Sequence, residues 1–271
     1  MTTHVGISGP IAAGKSTLAK GLVRILELMN KPSIVIPFAS GLKYLGSLED
    51  KPDAILAAYD YFMALGYSED KALRAGLKLL NAYRIYPQVD GKKPRKLYQY
   101  IGTEVGRDEV AKDVWIKDVQ KRIRELDSKP HFVFSDDMRF VNEGEAVDYH
   151  IGITMNTPSG KAAYNARKSL YPADYFHSNH QSEKERDLIR DPDFTIETDF
   201  SVSAVVDLAY ELIGRASNDM FQSYTGDTHE LTTSALAANF TPYPSFPVIM
   251  SGVAADLRPM IRDIWRERDT E

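Results

Sequence analysis

Cysteine is absent from the 271 residues, which excludes disulfides, thiolate metal sites and a cysteine nucleophile, and leaves any metal to oxygen or imidazole ligands. No apolar run approaches the roughly 20 residues that cross a bilayer as a helix. Met1-Thr-Thr-His leads straight into a strand-like segment, so neither a membrane span nor a signal peptide is expected, and the expected location is the cytoplasm. Positive charge is not in excess. Lys+Arg 33 against Asp+Glu 38 gives a net charge of −5, so the overall field does not draw in nucleic acid, and a polyanion has to meet a local basic patch. Repeats and low-complexity stretches are lacking too. What remains is 43% hydrophobic and 26% charged, ordinary globular usage in a chain long enough for one enlarged domain or a domain with an appendage. The six histidines show no metal-ligand spacing such as H-E-x-x-H and read as structural or lid residues.

Along the chain, short apolar runs alternate with helical periodicity. His4-Val5-Gly6-Ile7-Ser8 stops at glycine, and Leu18, Leu22, Val23, Ile25, Leu26 and Met29 follow at helical spacing. Ser33-Ile-Val-Ile-Pro-Phe38 reads as a buried parallel strand. Between about 41 and 127 the pattern is mainly helical, with stripes over 53–65, 68–84, 96–107 and 113–126. Strand-like runs return at 131–134, 149–155 and 194–196, and a helix over 201–214 follows. Strands separated by helices predict an α/β fold with a five-stranded parallel sheet and helices on both faces. The expected organisation is a domain over 1–216, with its core in 1–40 and 128–216, a helical insertion over 41–127 and a polar lid over 157–192. Residues 217–271, broken by Thr241-Pro-Tyr-Pro-Ser-Phe-Pro247, read as an appendage.

Gly9-Pro10-Ile11-Ala12-Ala13-Gly14-Lys15-Ser16 fits the P-loop pattern G-x-x-x-x-G-K-[ST] and lies between a predicted strand and a predicted helix. In that pattern the backbone N–H groups of Gly9, Ala12, Ala13, Gly14, Lys15, Ser16 and Thr17 and the positive end of the helix cradle phosphates. Lys15 reaches the β/γ-phosphates of ATP, and the Ser16 hydroxyl ligates Mg²⁺. Phosphoryl transfer further needs cations around the moving group and an acid holding Mg²⁺ or the acceptor. Phe132-Val-Phe-Ser135 runs directly into Asp136-Asp137-Met138-Arg139. Asp136 or Asp137 can hold Mg²⁺ or orient the acceptor, and Arg139 can clamp a phosphate in bidentate fashion.

With these residues in view the chain resembles the deoxynucleoside monophosphate kinases of bacteriophages, a branch of the P-loop kinases of nucleoside monophosphates (NMPs). Tyr100-Ile-Gly-Thr-Glu-Val-Gly-Arg107 with Trp115-Ile116 looks like the family's L-G-T-[DE] helix and following tryptophan. Ser135-Asp-Asp-Met-Arg-Phe-Val-Asn-Glu143 looks like its D-x-R-F-x-N-E segment, and His180-Gln-Ser-Glu183 like its H-x-S-E stretch. Pro37 to Lys43 sits where the family places its acceptor-side lysine. The resemblance spans about 4–214 and implies a P-loop kinase fold in which 41–127 is an NMP-binding region. It implies transfer of the ATP γ-phosphoryl group to a dNMP with Mg²⁺, in the host cytoplasm if the chain is phage-encoded. It also implies roles. Lys43, Gly102, Thr103, Arg107 and Trp115 would form the monophosphate pocket, with Asp137, Arg139 and Glu143 at the acceptor; of the two aspartates Asp137 is favoured, since it stands two before the arginine as in the family motif, and Asp136 is left as a candidate for the metal. Where the family carries an arginine after the fourth strand, this chain reads Met155-Asn156-Thr157-Pro158, so the lid cation falls to Lys161, Arg167 or Lys168, or is missing.

Two other readings remain. The basic run Lys92-Lys93-Pro94-Arg95-Lys96 suits a kinase acting on a modified base or a nucleotide in DNA, although the net charge disfavours nucleic acid. A nucleotide-binding module without transferase activity is the third, and the paired aspartates and acceptor-like arginines argue against it. Tyr243, Phe246, Ile249, Ile261 and Trp265 offer apolar area for the sheet or for a second subunit in a homodimer.

Overall fold

In the computed structural model, residues 2–48, 52–87, 94–170 and 185–225 are described. Five strands form one all-parallel sheet: β1 (Thr3–Ser8), β2 (Ser33–Val35), β3 (Phe132–Ser135), β4 (Tyr149–Thr154) and β5 (Phe194–Glu197). The spatial order is β2-β3-β1-β4-β5. The register sets Val5 beside Phe134 on one side and Tyr149 on the other. Strand β1 is therefore central, and the chain leaves it toward β2 but leaves β3 toward β4. That reversal opens a crevice at the carboxyl ends of β1 and β3, the place where open α/β sheets bind ligands.

The helices follow from the sequence patterns in part. Helix α1 (Lys15–Leu28) packs beside β1 and β2 and buries Leu18, Leu22, Ile25 and Leu26. Next come α2 (Ser40–Gly46), α3 (Pro52–Ala64), α4 (Glu69–Ile85), α5 (Arg95–Tyr100) and α6 (Val114–Arg124), the expected helical insertion. It has its own core, in which Phe62, Leu79, Leu97, Ile101 and Val105 are fully buried together with Trp115. A second cluster joins α6 to the sheet, with Ile116 and Val119 against Ile36, Val133 and Met138. Short α7 (Val141–Glu145) and α8 (Pro158–Lys168) connect the later strands, and α9 (Val202–Thr225) ends the described chain.

Four differences from the sequence expectation have physical causes. The run Ser33–Phe38 is not a buried strand: only Ser33–Val35 is strand, and as the sheet's edge it pairs with β3 alone and leaves Ile34 exposed. The stripe over 96–107 is not one α-helix, because Ile101–Arg107 is wound as a π-helix with Asp108 N–H donating to Thr103 O at 2.8 Å. The segment expected as a polar lid opens with α8, capped by the Thr157 hydroxyl accepting from Gly160 N and with Pro158 in its first turn. Residues 171–184 of that segment, with the His180-Gln-Ser-Glu183 stretch, lie outside the described residues, as does Lys92-Lys93 of the basic run. Finally, α9 does not stop at Gly214 but runs on to Thr225; one glycine costs a helix only about 1 kcal/mol. The chain divides into two compact units, Met1–Ala209 and Tyr210–Glu271, with the boundary inside α9. Most of the expected appendage, 226–271, lies outside the described residues. No helix among the described residues is long and apolar enough to cross a membrane.

Buried polar groups stitch the sheet. Ser135 Oγ donates to Ile36 O at 2.6 Å and stands 2.9 Å from His4 Nε2, and Ser8 Oγ stands 2.7 Å from His150 Nε2. Burial pushes the His4 imidazole down to about 4, against the pull of Asp148. The ring is thus neutral in the fold, whereas an unfolded chain protonates it below about pH 6.5. Stability from this site is whole above pH 6.5 and falls as pH drops toward 4, by about 3 kcal/mol in all. Glu143, whose pKa burial raises, works in the opposite sense, so a paired comparison isolates the histidine. Urea unfolding of the wild type and His4→Asn from pH 7 to 4 is expected to show the wild type's advantage shrinking. An advantage constant with pH would refute this.

Candidate functional site

The crevice holds a cavity of about 460 Å³. Its floor is the Gly9–Ser16 loop. Gly14, the N-cap of α1, has φ 95° and ψ 20°, a left-handed conformation open to glycine at little cost. Ala12 is also left-handed, at φ 66°, which costs an alanine about 1 kcal/mol. Carbonyl oxygens of this strained loop are held from outside: Arg167 Nε donates to Ala12 O at 3.1 Å, and Thr198 Oγ1 donates to Ala13 O at 2.9 Å. Ala12, Ala13, Gly14, Lys15, Ser16 and Thr17 all line the cavity. Gly9 does not, but it begins the loop, and its carbonyl and that of Pro10 accept from Lys15 Nζ at 2.7 and 2.8 Å.

The segment after β3 forms the adjoining wall with Asp136, Asp137, Arg139 and Glu143. The two aspartates differ. Asp137 accepts from Phe38 N at 2.7 Å and Ala39 N at 2.9 Å, one bond on each carboxylate oxygen, and so pins the start of α2. Burial, then the neighbouring Asp136, raises its pKa, while Lys43 pulls it down. Asp136 carries no hydrogen bond or ion pair among the described residues, and it lines the same cavity as Ser16. A Mg²⁺ ion keeps most of its shell as water and phosphate oxygen and needs only one or two protein oxygens. Ser16 and Asp136 fit that demand. No cluster of three acidic or histidine side chains able to hold a metal occurs among the described residues.

The remaining residues implied by the resemblance also line the cavity, yet two of them are already engaged. Arg107, buried, pairs with Glu143, donates to Lys112 O at 2.9 Å and lies 3.6 Å from the centroid of the Phe140 ring. Glu143 in turn accepts from the amides of Arg139 and Phe140, at 2.8 and 3.2 Å. The pair holds the wall in shape, and burial opposes both charges, raising the carboxyl and lowering the guanidinium. Trp115 is 2% exposed, and its Nε1 donates to Gly102 O at 2.9 Å. A Cβ on Gly106 would lie 2.2 Å from its ring. The indole is thus packed into the insertion's core with an edge on the cavity. Gly106→Ala is expected to cost about 2–3 kcal/mol by forcing this ring aside, and chemical denaturation reads it directly.

Lys43, Gly102 and Thr103 complete the predicted set on the wall. The structure adds residues that sequence reasoning missed. Arg95, Tyr98 and Gln99 face the cavity with Gly102 and Thr103, at the spacing that gathers residues on one helix face, and Phe38, Leu42 and Phe140 give it apolar surface. Of the three lid cations considered, Arg167 lines the cavity, and Lys161 and Lys168 do not. Arg95 was legible only as part of a basic run. No motif marked Tyr98 or Gln99. The sequence matches no model of a known protein family, and comparison with curated proteins finds no match either, so the reading of the site rests on its own geometry.

Proposed function

We propose that the protein is an ATP-dependent phosphotransferase of the P-loop kinase type, acting on a (deoxy)nucleoside monophosphate to give the diphosphate and ADP. One observation carries the reading: the Gly9–Ser16 loop and the Asp136–Glu143 segment open onto the same cavity, at the carboxyl ends of adjacent strands β1 and β3. A loop of that pattern suits the donor triphosphate. Lys43, Arg95 and Arg139 supply cations on the other walls, and Phe38, Leu42, Tyr98 and Phe140 supply apolar and aromatic surface for a base. Mg²⁺, held through Ser16 and Asp136, would neutralise charge on the donor phosphates. The protein's remaining task is positioning: Lys15 meets charge on the transferred group, and Arg139 orients the acceptor phosphate. A module that only binds nucleotide has no use for this second set of charges.

Incubation with ATP, Mg²⁺ and a panel of dNMPs, NMPs and modified-base monophosphates, followed by product mass, tests the reading. Acceptor-dependent ADP release with a product heavier by one phosphoryl group is expected. ATP binding without acceptor-dependent release would reduce the protein to a nucleotide-binding module. Arg95, a member of the basic run that stands in the cavity wall, favours a second reading in which the acceptor is a nucleotide within DNA. Activity on oligonucleotides that falls steeply with salt, with free monophosphates inert, would select it.

A further inference from the structure

Thr198, just past β5, belongs to no motif, yet its side chain is fully buried against the loop at the cavity floor. Its hydroxyl donates to Ala13 O at 2.9 Å and accepts from the Arg167 guanidinium, which also reaches Thr198 O. Arg167 Nε in turn donates to Ala12 O at 3.1 Å. The neighbouring residue Glu197 secures the other end of α8: its carboxylate accepts from Asn156 N at 3.0 Å, from Thr157 Oγ1 at 3.1 Å and from Thr154 Oγ1 at 2.8 Å. Two consecutive residues at the end of β5 thus fix both ends of α8. The helix becomes a strut that carries Arg167 onto the loop.

We propose that Thr198 is a positioning residue for the phosphate-binding loop, acting through Ala13 and Arg167. A peptide plane has its N–H opposite its C=O. Drawing the carbonyl of Ala13 onto Thr198, which does not line the cavity, therefore turns the Gly14 N–H the other way, the orientation that an anion in the loop needs, while the Ala13 N–H closes the loop on Pro10 O at 3.2 Å. Ala12 at φ 66° has an intrinsic tendency to relax, and the bonds from Arg167 to Ala12 O and from Thr198 to Ala13 O hold the turn in place. The contribution is preorganisation, so losing it weakens binding of the triphosphate more than it slows a transfer already aligned.

This inference rests on the reading of the loop as a phosphate site, and one experiment separates the two. Binding of ATP·Mg²⁺ is measured by calorimetry for the wild type, Thr198→Val and Thr198→Ser, with KM for ATP and for the acceptor beside it. Valine keeps the shape and removes the hydroxyl; serine keeps the hydroxyl. The expected result is a Kd and KM for ATP raised about tenfold in Thr198→Val, the scale of one lost buried hydrogen bond. The acceptor KM and kcat should change less than about twofold, and Thr198→Ser should restore ATP binding. Should Thr198→Val fail to fold, Thr198→Ala, which leaves room for a water, is read in the same way. Unchanged ATP binding in the folded variant, equal loss for ATP and acceptor, or no folded variant at all would overturn the proposal. A wild type that binds no ATP would instead refute the loop reading itself.

Discussion

Lys15→Ala is expected to lower turnover with ATP by about three orders of magnitude while leaving the protein folded, because its ammonium meets charge that develops on the phosphates during transfer. Among its ground-state partners are carbonyls of its own loop, Gly9 O and Pro10 O. Neither bond ties together distant elements, and water replaces both once the side chain is cut back. Losing these two bonds should therefore cost no more than about 1 kcal/mol of stability. Steady-state kinetics together with a thermal melt separate the two effects. Wild-type turnover in the variant would remove the loop from the chemistry. A melt lowered by many degrees would make Lys15 a structural clasp for the loop.

The sequence carries the sheet well because buried parallel strands are apolar on both faces, and runs such as Phe132-Val-Phe have no other place to go. It carries the loop because four positions, Gly9, Gly14, Lys15 and Ser16, are fixed at set spacing within eight residues. Other features are hidden for reasons that are equally physical. A π-turn of seven residues leaves the same apolar stripe as an α-helix, so Ile101–Arg107 was legible as helix but not as a wider one. Helix α8 has few apolar residues, so the sequence shows it only as part of a polar lid, although Thr157-Pro158 bears the signature of a helix start. Partnerships across the sequence are invisible to any local pattern. Thr198 reaches Ala13 across 185 positions, and nothing in the composition near either residue announces it. The resemblance gathered Arg107 and Glu143 at one site, and they do share its wall, but only coordinates reveal that each takes up the other's charge.

The two aspartates after β3 give the second large effect, and the geometry reverses the order expected from the sequence, in which Asp137, two before the arginine, is the more important for turnover and Asp136 the milder. Asp136→Asn is expected to cut turnover about a hundredfold with little change in stability. Its carboxylate supports no part of the fold among the described residues, and the amide that replaces it is a poorer partner for Mg²⁺. Asp137→Asn should behave the other way. Both Asp137 oxygens accept from backbone amides, at Phe38 and Ala39. Asparagine offers one acceptor and turns an NH₂ group toward the second N–H, so a buried donor is left facing a donor, at a cost of about 1–3 kcal/mol. Because these amides open α2, which carries Lys43 and Leu42 into the cavity, turnover falls too, but through a raised KM for the acceptor and with ATP binding preserved. Raising Mg²⁺ should recover part of the activity of Asp136→Asn and none of that of Asp137→Asn. Magnesium rescue of Asp137→Asn at unchanged melting temperature would reverse the assignment and return the metal to Asp137.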